Sequence, residues 1–242
     1  MLKTLYDAIR KDAAPVNVSI GGRDYATVDI KPVHEPSPRA LTVTTLTGLV
    51  DYLKANVDKL DVQELLCHVE SPAKVMLYSG LRGQHHDRAA FIAVELQQVQ
   101  IPLNTFIDAE KFNILVQSAF VEGDDAAPAT DKAKVLRYAS NVTQTASANS
   151  ADDGVTQAVT VRKGVASVGI EPLPNPVTLR PFRTFAEVEQ PASRFVFRAK
   201  GADEGNVSFA LFEADGGAWK GEAMRNVANF LREQVPGLNV IA

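Results

Sequence analysis

The strongest constraint on this chain is how its alternating segments are grouped. Apolar and polar residues alternate in short stretches that come in pairs, with a turn inside each pair and helical stretches between pairs. Val16, Val18 and Ile20 alternate, Gly21-Gly22 turns the chain, and residues 25–30 alternate again, which reads as a hairpin. Residues 65–70 and 74–79 form a second pair around Ser71-Pro72, and residues 89–96 add a third apolar strand. Near the end, residues 182–188 and 194–200 alternate, and residues 207–213 follow a polar turn. Parallel sheets need a long crossover between neighbouring strands, whereas strands paired through turns make antiparallel sheet. The expected fold class is α+β: a mainly antiparallel sheet with helices packed on it and long loops.

The helical stretches have an apolar face at the right spacing. Thr44 or Thr45 caps a helix whose face is Leu46, Leu49, Val50, Leu53 and Val57. Residues 1–12, 106–119 and 132–140 carry shorter patterns of the same kind. A final helix opens at Ala218 and runs to about residue 234, with Trp219, Ala223, Val227, Phe230 and Leu231 facing inward. Residues 34–38 and the proline series Pro172, Pro174, Pro176 and Pro181 read as extended, non-helical crossings. Residues 143–154 are poor in large apolar side chains and read as a linker or mobile loop. The expectation is one α+β domain over residues 1–242, with any sub-boundary near 143–154.

Composition excludes several classes. Hydrophobic residues at 45% and charged residues at 22% are enough for a core and too balanced for wholesale disorder. A single cysteine excludes an intramolecular disulfide and a cysteine-rich zinc site. The net charge of -4 argues against coating DNA by bulk charge. No apolar run approaches the ~20 residues of a membrane span, and the first residues lack the apolar core of a signal peptide. These features predict a soluble, cytoplasmic chain with no membrane partner. No GxxxxGK[ST], GxGxxG or GxSxG motif occurs, so no catalytic residue, metal or cofactor is assigned.

Several places carry chemistry that function would use. Arg180, Arg183, Arg194 and Arg198 are interleaved with Phe182, Phe185, Phe195 and Phe197. Cations for phosphate and rings for stacking are what single-stranded nucleic acid binding uses. The same pattern also reads as inward phenylalanines and outward arginines paired with Glu187, Glu189 or Glu213. Residues 180–220 hold six basic and six acidic side chains, so they are no basic patch. In Glu213-Ala214-Asp215-Gly216-Gly217-Ala218-Trp219-Lys220, two carboxylates precede a glycine pair at a helix start, with Lys220 in the first turn. That is a candidate ligand turn, and equally an N-capping Asp215 on a tight strand-to-helix turn above a core tryptophan. Glu187 and Glu189 would share a strand face, and with Glu213, Asp215 and Lys220 they would make a metal-nuclease set if the strands adjoin. Gln84-His85-His86-Asp87 is a polar loop with histidines that read as solvent-exposed, His34 and His68 are isolated, and Cys67 reads as a small buried hydrophobe. Residues 122–131 carry four acidic side chains and no basic one, which reads as an ordinary solvated loop.

The segments Arg180-Pro181-Phe182-Arg183-Thr184-Phe185, Glu187-Val188-Glu189-Gln190-Pro191, Phe195-Val196-Phe197-Arg198 and Leu211 through Lys220 resemble the YfdQ-like family of phage and prophage proteins. The Asp152-Asp153-Gly154-Val155-Thr156-Gln157 stretch and the helix after Thr44 are similar as well, and the resemblance is densest over residues 152–231. That family is a domain of unknown function, so the resemblance carries over no active site. It implies a phage accessory role in a bacterial cytoplasm. The expected function is a non-enzymatic accessory protein that forms homo-oligomers and binds a host or phage component. The runner-up is a single-stranded nucleic-acid-binding protein in phage replication or recombination, and the third reading is a metal-dependent nuclease or hydrolase.

Overall fold

The computed structural model describes residues 2–4, 17–20, 23–26, 37–83, 86–97, 100–122, 130–144, 148–152, 157–163, 166–172, 175–201 and 207–242. The chain divides into two compact units: residues 1–37 with 81–88, and residues 38–80 with 89–242. The division therefore does not fall at 143–154.

In the smaller unit, β1 (Asn17–Ile20) pairs antiparallel with β2 (Arg23–Ala26), so the hairpin expected from alternation around Gly21-Gly22 forms. Arg82 and Asp87 bridge their backbones, and Arg82 Nη2 donates to Ser37 Oγ at 3.1 Å. Of the helix expected over residues 1–12, only residues 2–4 are described, and they are helical. Most of the 34–38 crossing lies outside the described residues.

The larger unit begins with β3 (Leu41–Val43) and α1 (Leu46–Ala55), then a single 3-10 turn, β4 (Leu66–Ser71), β5 (Lys74–Tyr78) and β6 (Ala90–Glu95). It continues through β7 (Ile107–Asp108), α2 (Ala109–Ala119), α3 (Lys132–Gln144), β8 (Ala148–Asp152), β9 (Gln157–Lys163) and β10 (Ala166–Pro172). It ends with β11 (Val177–Leu179), β12 (Ser193–Gly201), β13 (Val207–Glu213), α4 (Trp219–Gln234) and β14 (Asn239–Ile241). A five-stranded sheet has the order β14-β4-β5-β6-β3, with an antiparallel centre and both edge strands added parallel. A four-stranded antiparallel sheet has the order β11-β12-β13-β7, and β10-β9-β8 form a third. This is the α+β class that the paired alternation predicts.

Each large sheet has its own core. Leu46, Leu49 and Leu53 of α1 and Val227 and Leu231 of α4 pack with Cys67, Val69, Val75 and Leu77 of the five-stranded sheet. Phe112 and Val116 of α2 and Val135 and Tyr138 of α3 pack with Phe195, Phe197 and Phe209 of the four-stranded sheet. The Phe112 ring stacks on Phe197 with centroids 5.4 Å apart. Thr45 caps α1 by accepting from the Gly48 amide at 3.1 Å. That helix stops at Asn56, which is left-handed at φ 45, so Val57 lies past its end and is 73% exposed rather than on the apolar face.

The described residues of 143–154 depart from the loop expectation, while 145–147 and 153–154 lie outside the described residues. Helix α3 reaches Gln144, and β8 then pairs residue by residue with β9. Ala-Asn-Ser-Ala-Asp has no apolar alternation to announce a strand; the backbone ladder to a neighbour makes it one. The acidic stretch is anchored at its end. Asp131 accepts from the Thr178 amide at 2.9 Å and from Lys134 Nζ at 2.8 Å. Burial pushes its carboxyl up, but Lys134 and the Thr178 amide outweigh that and leave it below the ordinary value. Lys132 is buried and closes the end of α2, donating to the Phe120 carbonyl at 2.7 Å and the Gln117 carbonyl at 3.1 Å. Residues 123–129 lie outside the described residues.

Candidate functional site

The segment 180–190 is a loop, although its alternation predicts a strand over 182–188. Gln190, 4% exposed, is the reason. Its Oε1 accepts from the Arg183 amide at 3.0 Å and the Thr184 amide at 3.1 Å. Its Nε2 donates to the carbonyls of Phe185 at 2.9 Å and of Thr184 and Val188 at 3.3 Å. One side-chain amide thus takes up backbone groups that a strand would offer to a neighbour. Phe185 enters the core of the five-stranded sheet, and Thr184 Oγ1 donates to the Pro72 carbonyl at 2.6 Å.

This loop delivers Arg183 to the end of the four-stranded sheet. The side chain is 9% exposed. Nη1 donates to Glu213 Oε1, and Nη2 donates to Ser193 Oγ. The guanidinium carbon lies 3.9 Å from the Trp219 ring centroid and 5.8 Å from that of Phe195. The arginine is therefore paired on one side and stacked on the other, which suits a planar and weakly hydrated cation. Burial lowers its pKa against the opposing pull of Glu213 and Asp215, and a guanidinium remains charged throughout the working pH range.

The turn that carries Asp215 differs from an N-cap. Asp215 Oδ1 accepts from the Gly217 amide at 2.9 Å, while the N-cap position of α4 is Ala218, with no side-chain cap. Gly216 and Gly217 have φ of 62 and 81, the left-handed region in which a Cβ is penalised. Gly217→Ala is expected to cost about 1–2 kcal/mol in urea unfolding, since the new methyl meets only Lys220 Cε at 4.0 Å, an ordinary contact, and backbone strain is what is added. Burial pushes the Asp215 carboxyl up, but the Ser193 hydroxyl, the Gly217 amide and the Arg183 charge outweigh it, so the group sits below its ordinary value.

Around this cluster lies a cavity of about 300 Å³ lined by Gln100, Ile101, Leu103, Phe182, Arg183, Glu213, Trp219 and Lys220. The strand end, the helix start and the 180–190 loop meet here because β12 and β13 are neighbours, with Phe195 opposite Glu213. Trp219 is half-buried against Arg183, not in the core as the helix face predicts; the buried residues of α4 are Ala223, Val227, Ala228 and Leu231. It sits in the first turn of α4, where a cation offers the ring a partner.

The other proposed site residues separate. Glu187 accepts from the Thr47 amide at 3.2 Å and from Thr47 Oγ1 at 3.4 Å, in the first turn of α1. Glu189 pairs with Arg180 at 2.8 Å. The two glutamates do not share a strand face, because no strand exists there. Glu213 and Asp215 belong to the Arg183 cluster, so the four carboxylates of the nuclease reading have three different environments. Among the described residues no group of three or more metal-ligating side chains occurs. Phe185, Phe195 and Phe197 are fully buried, which leaves of the interleaved rings only Phe182 exposed, at 44%. Arg194 is exposed opposite Thr178, and Arg198 is half-buried. Gln84 and His85 lie outside the described residues. Cys67 is fully buried in β4, and burial pushes its thiol up to about 12, so it stays protonated at neutral pH.

No sequence signal marked Ser193, which holds Arg183 from behind, or the Gln100, Ile101 and Leu103 wall of the cavity. That wall is brought in by Asn104, whose amide donates to the Leu211 carbonyl at 2.8 Å and whose Oδ1 accepts from the Glu213 amide at 3.3 Å. Among the described residues no helix is long and apolar enough to cross a membrane. Compared with protein-family models, with curated proteins and with solved structures, the chain finds no match.

Proposed function

We propose that this chain acts by binding, as a non-enzymatic phage or prophage accessory protein that self-assembles and holds part of a host or phage component in the cavity beside Arg183. The observation that carries the binding element is the cavity itself, where Ile101, Leu103, Phe182 and Trp219 stand beside the polar Gln100, Arg183, Glu213 and Lys220. A concavity in which polar groups converge beside apolar and aromatic side chains is the usual place for a ligand. The phage setting is supported by the resemblance alone, whose segments include Phe182, Arg183, Glu213, Trp219 and Lys220 of the cavity wall. Self-assembly is supported by the edges of the five-stranded sheet, β3 and β14, which carry exposed Leu41 and Ile241.

Trp219 is the chain's single tryptophan, so its emission reports on the cavity directly. Titration with a panel of small aromatic compounds under selective tryptophan excitation is expected to give saturable quenching by at least one of them. Phe182→Ala, which removes an exposed wall without touching the core, is expected to weaken that binding about tenfold. A panel in which no compound of any charge gives saturation would overturn the reading.

A further inference from the structure

We infer that the cavity beside Arg183 selects a small organic anion: an apolar body against Trp219, Phe182, Ile101 and Leu103, with its negative group at Lys220. This rests on the reading of the cavity as the binding site and adds the charge of what enters it.

Three charged side chains line the cavity, and they are not equivalent. Glu213 is held by Arg183, and Arg183 is in turn shared between Glu213, Ser193 and the Trp219 face. The pair is therefore internally satisfied. Asp215, just behind the wall, is bound to the Gly217 amide and lies near the same arginine. Lys220 is exposed and makes no ion pair or hydrogen bond through its side chain among the described residues, although it lines the same cavity. It is the charge in the wall left to meet an incoming group.

Arg183 Nε and Trp219 Nε1 are buried and have no acceptor among the described residues. Both are closed off from solvent, as is Asp215 Oδ2, which has no donor among the described residues, so these groups are not the contact point. A cationic ligand would face Lys220 with like charge, whereas an anion pairs with it. The apolar walls require the charge to be carried on a hydrophobic body, since a bare inorganic ion would leave Ile101, Leu103 and Phe182 uncovered.

The test uses three probes of one shape: phenylacetate, phenylacetamide and phenethylamine, each titrated against Trp219 emission in the full-length protein. Phenylacetate is expected to bind about tenfold more tightly than the amide, the usual gain when one hydrogen-bond partner is charged, and the amine more weakly still. Lys220→Gln lies on the exposed side of the helix and is expected to bring phenylacetate to the level of the amide while leaving the amide unchanged. Raised salt is expected to weaken phenylacetate alone. Equal binding of all three, tighter binding of the amine, or an unchanged preference in Lys220→Gln would overturn the anion assignment while leaving the cavity a binding site. If no probe binds, and the wider aromatic panel also fails, the binding site itself is lost and the anion assignment with it.

Discussion

Arg183→Met is expected to lower the free energy of unfolding by about 1–3 kcal/mol, the cost of leaving Ser193 and Glu213 without their donor, since the Glu213 carboxylate left behind is 33% exposed. The methionine keeps most of the apolar stem, so the loss reports on the guanidinium rather than on a cavity. Without it, Glu213 and Ser193 lose their donor and the Trp219 ring loses the cation 3.9 Å from its centre. Glu213→Gln is expected to cost at least as much, because it leaves the 9% exposed Arg183 guanidinium without its carboxylate, whereas Arg183→Met leaves a carboxylate that is 33% exposed and that water can reach. Urea unfolding of both variants checks the order; an Arg183→Met protein as stable as the parent would show that the cluster contributes nothing to folding. The same cluster sets a pH dependence. The Asp215 pKa is lowered on folding, so its contribution is fully present above the ordinary aspartate value and is lost as pH falls through the folded one. In Arg183→Met that acid-side loss is expected to shrink, since one of the groups holding Asp215 ionised is gone.

Gln190→Leu is expected to cost about 3 kcal/mol or more, and to disturb the cavity without touching it. The leucine leaves the amides of Arg183 and Thr184 inside the protein with no acceptor, at roughly 1–3 kcal/mol each. It also strips the donor from the Phe185, Thr184 and Val188 carbonyls. Since Gln190 fixes the backbone on which Arg183 stands, the stacking on Trp219 should loosen. The expected signature is a fall in the urea midpoint together with altered tryptophan emission in the folded protein. A loss of stability with native emission would mean that the loop holds its shape by packing of Phe185 alone.

The resemblance segments have an unequal fate that explains what was legible. The Phe195, Phe197 and Phe209 positions alternate because they fill one face of an antiparallel pair, and that periodicity is written in the chain. The 182–188 stretch also reads as alternating, but its two phenylalanines are three residues apart, and it means something else. Phe185 does point into a core, but the Arg183 and Thr184 amides are held by Gln190 and the Thr184 hydroxyl by the Pro72 carbonyl, 112 residues away. Burial there does not alternate: Arg183, Thr184 and Phe185 are buried in succession while Phe182 is exposed, as in a loop held by polar partners rather than a strand. The Asp215-Gly216-Gly217 turn was legible as a special place because paired glycines ahead of a helix imply positive φ. That Asp215 folds back on the Gly217 amide instead of capping the helix was not, because both uses need the same residue at nearly the same spacing.

The sequence by itself determined the α+β class, the Leu46, Leu49, Val50 and Leu53 face of α1, the Ala223, Val227 and Leu231 face of α4 and the buried state of Cys67, all of which follow from local spacing and composition. Only the tertiary structure decided which charges meet. Glu187 and Glu189 are two residues apart in the chain, yet one reaches Thr47 and the other Arg180. Arg183 and Glu213 are 30 residues apart and in contact. Electrostatic partnership depends on distance in space and on burial, and neither is encoded at any fixed separation along the chain.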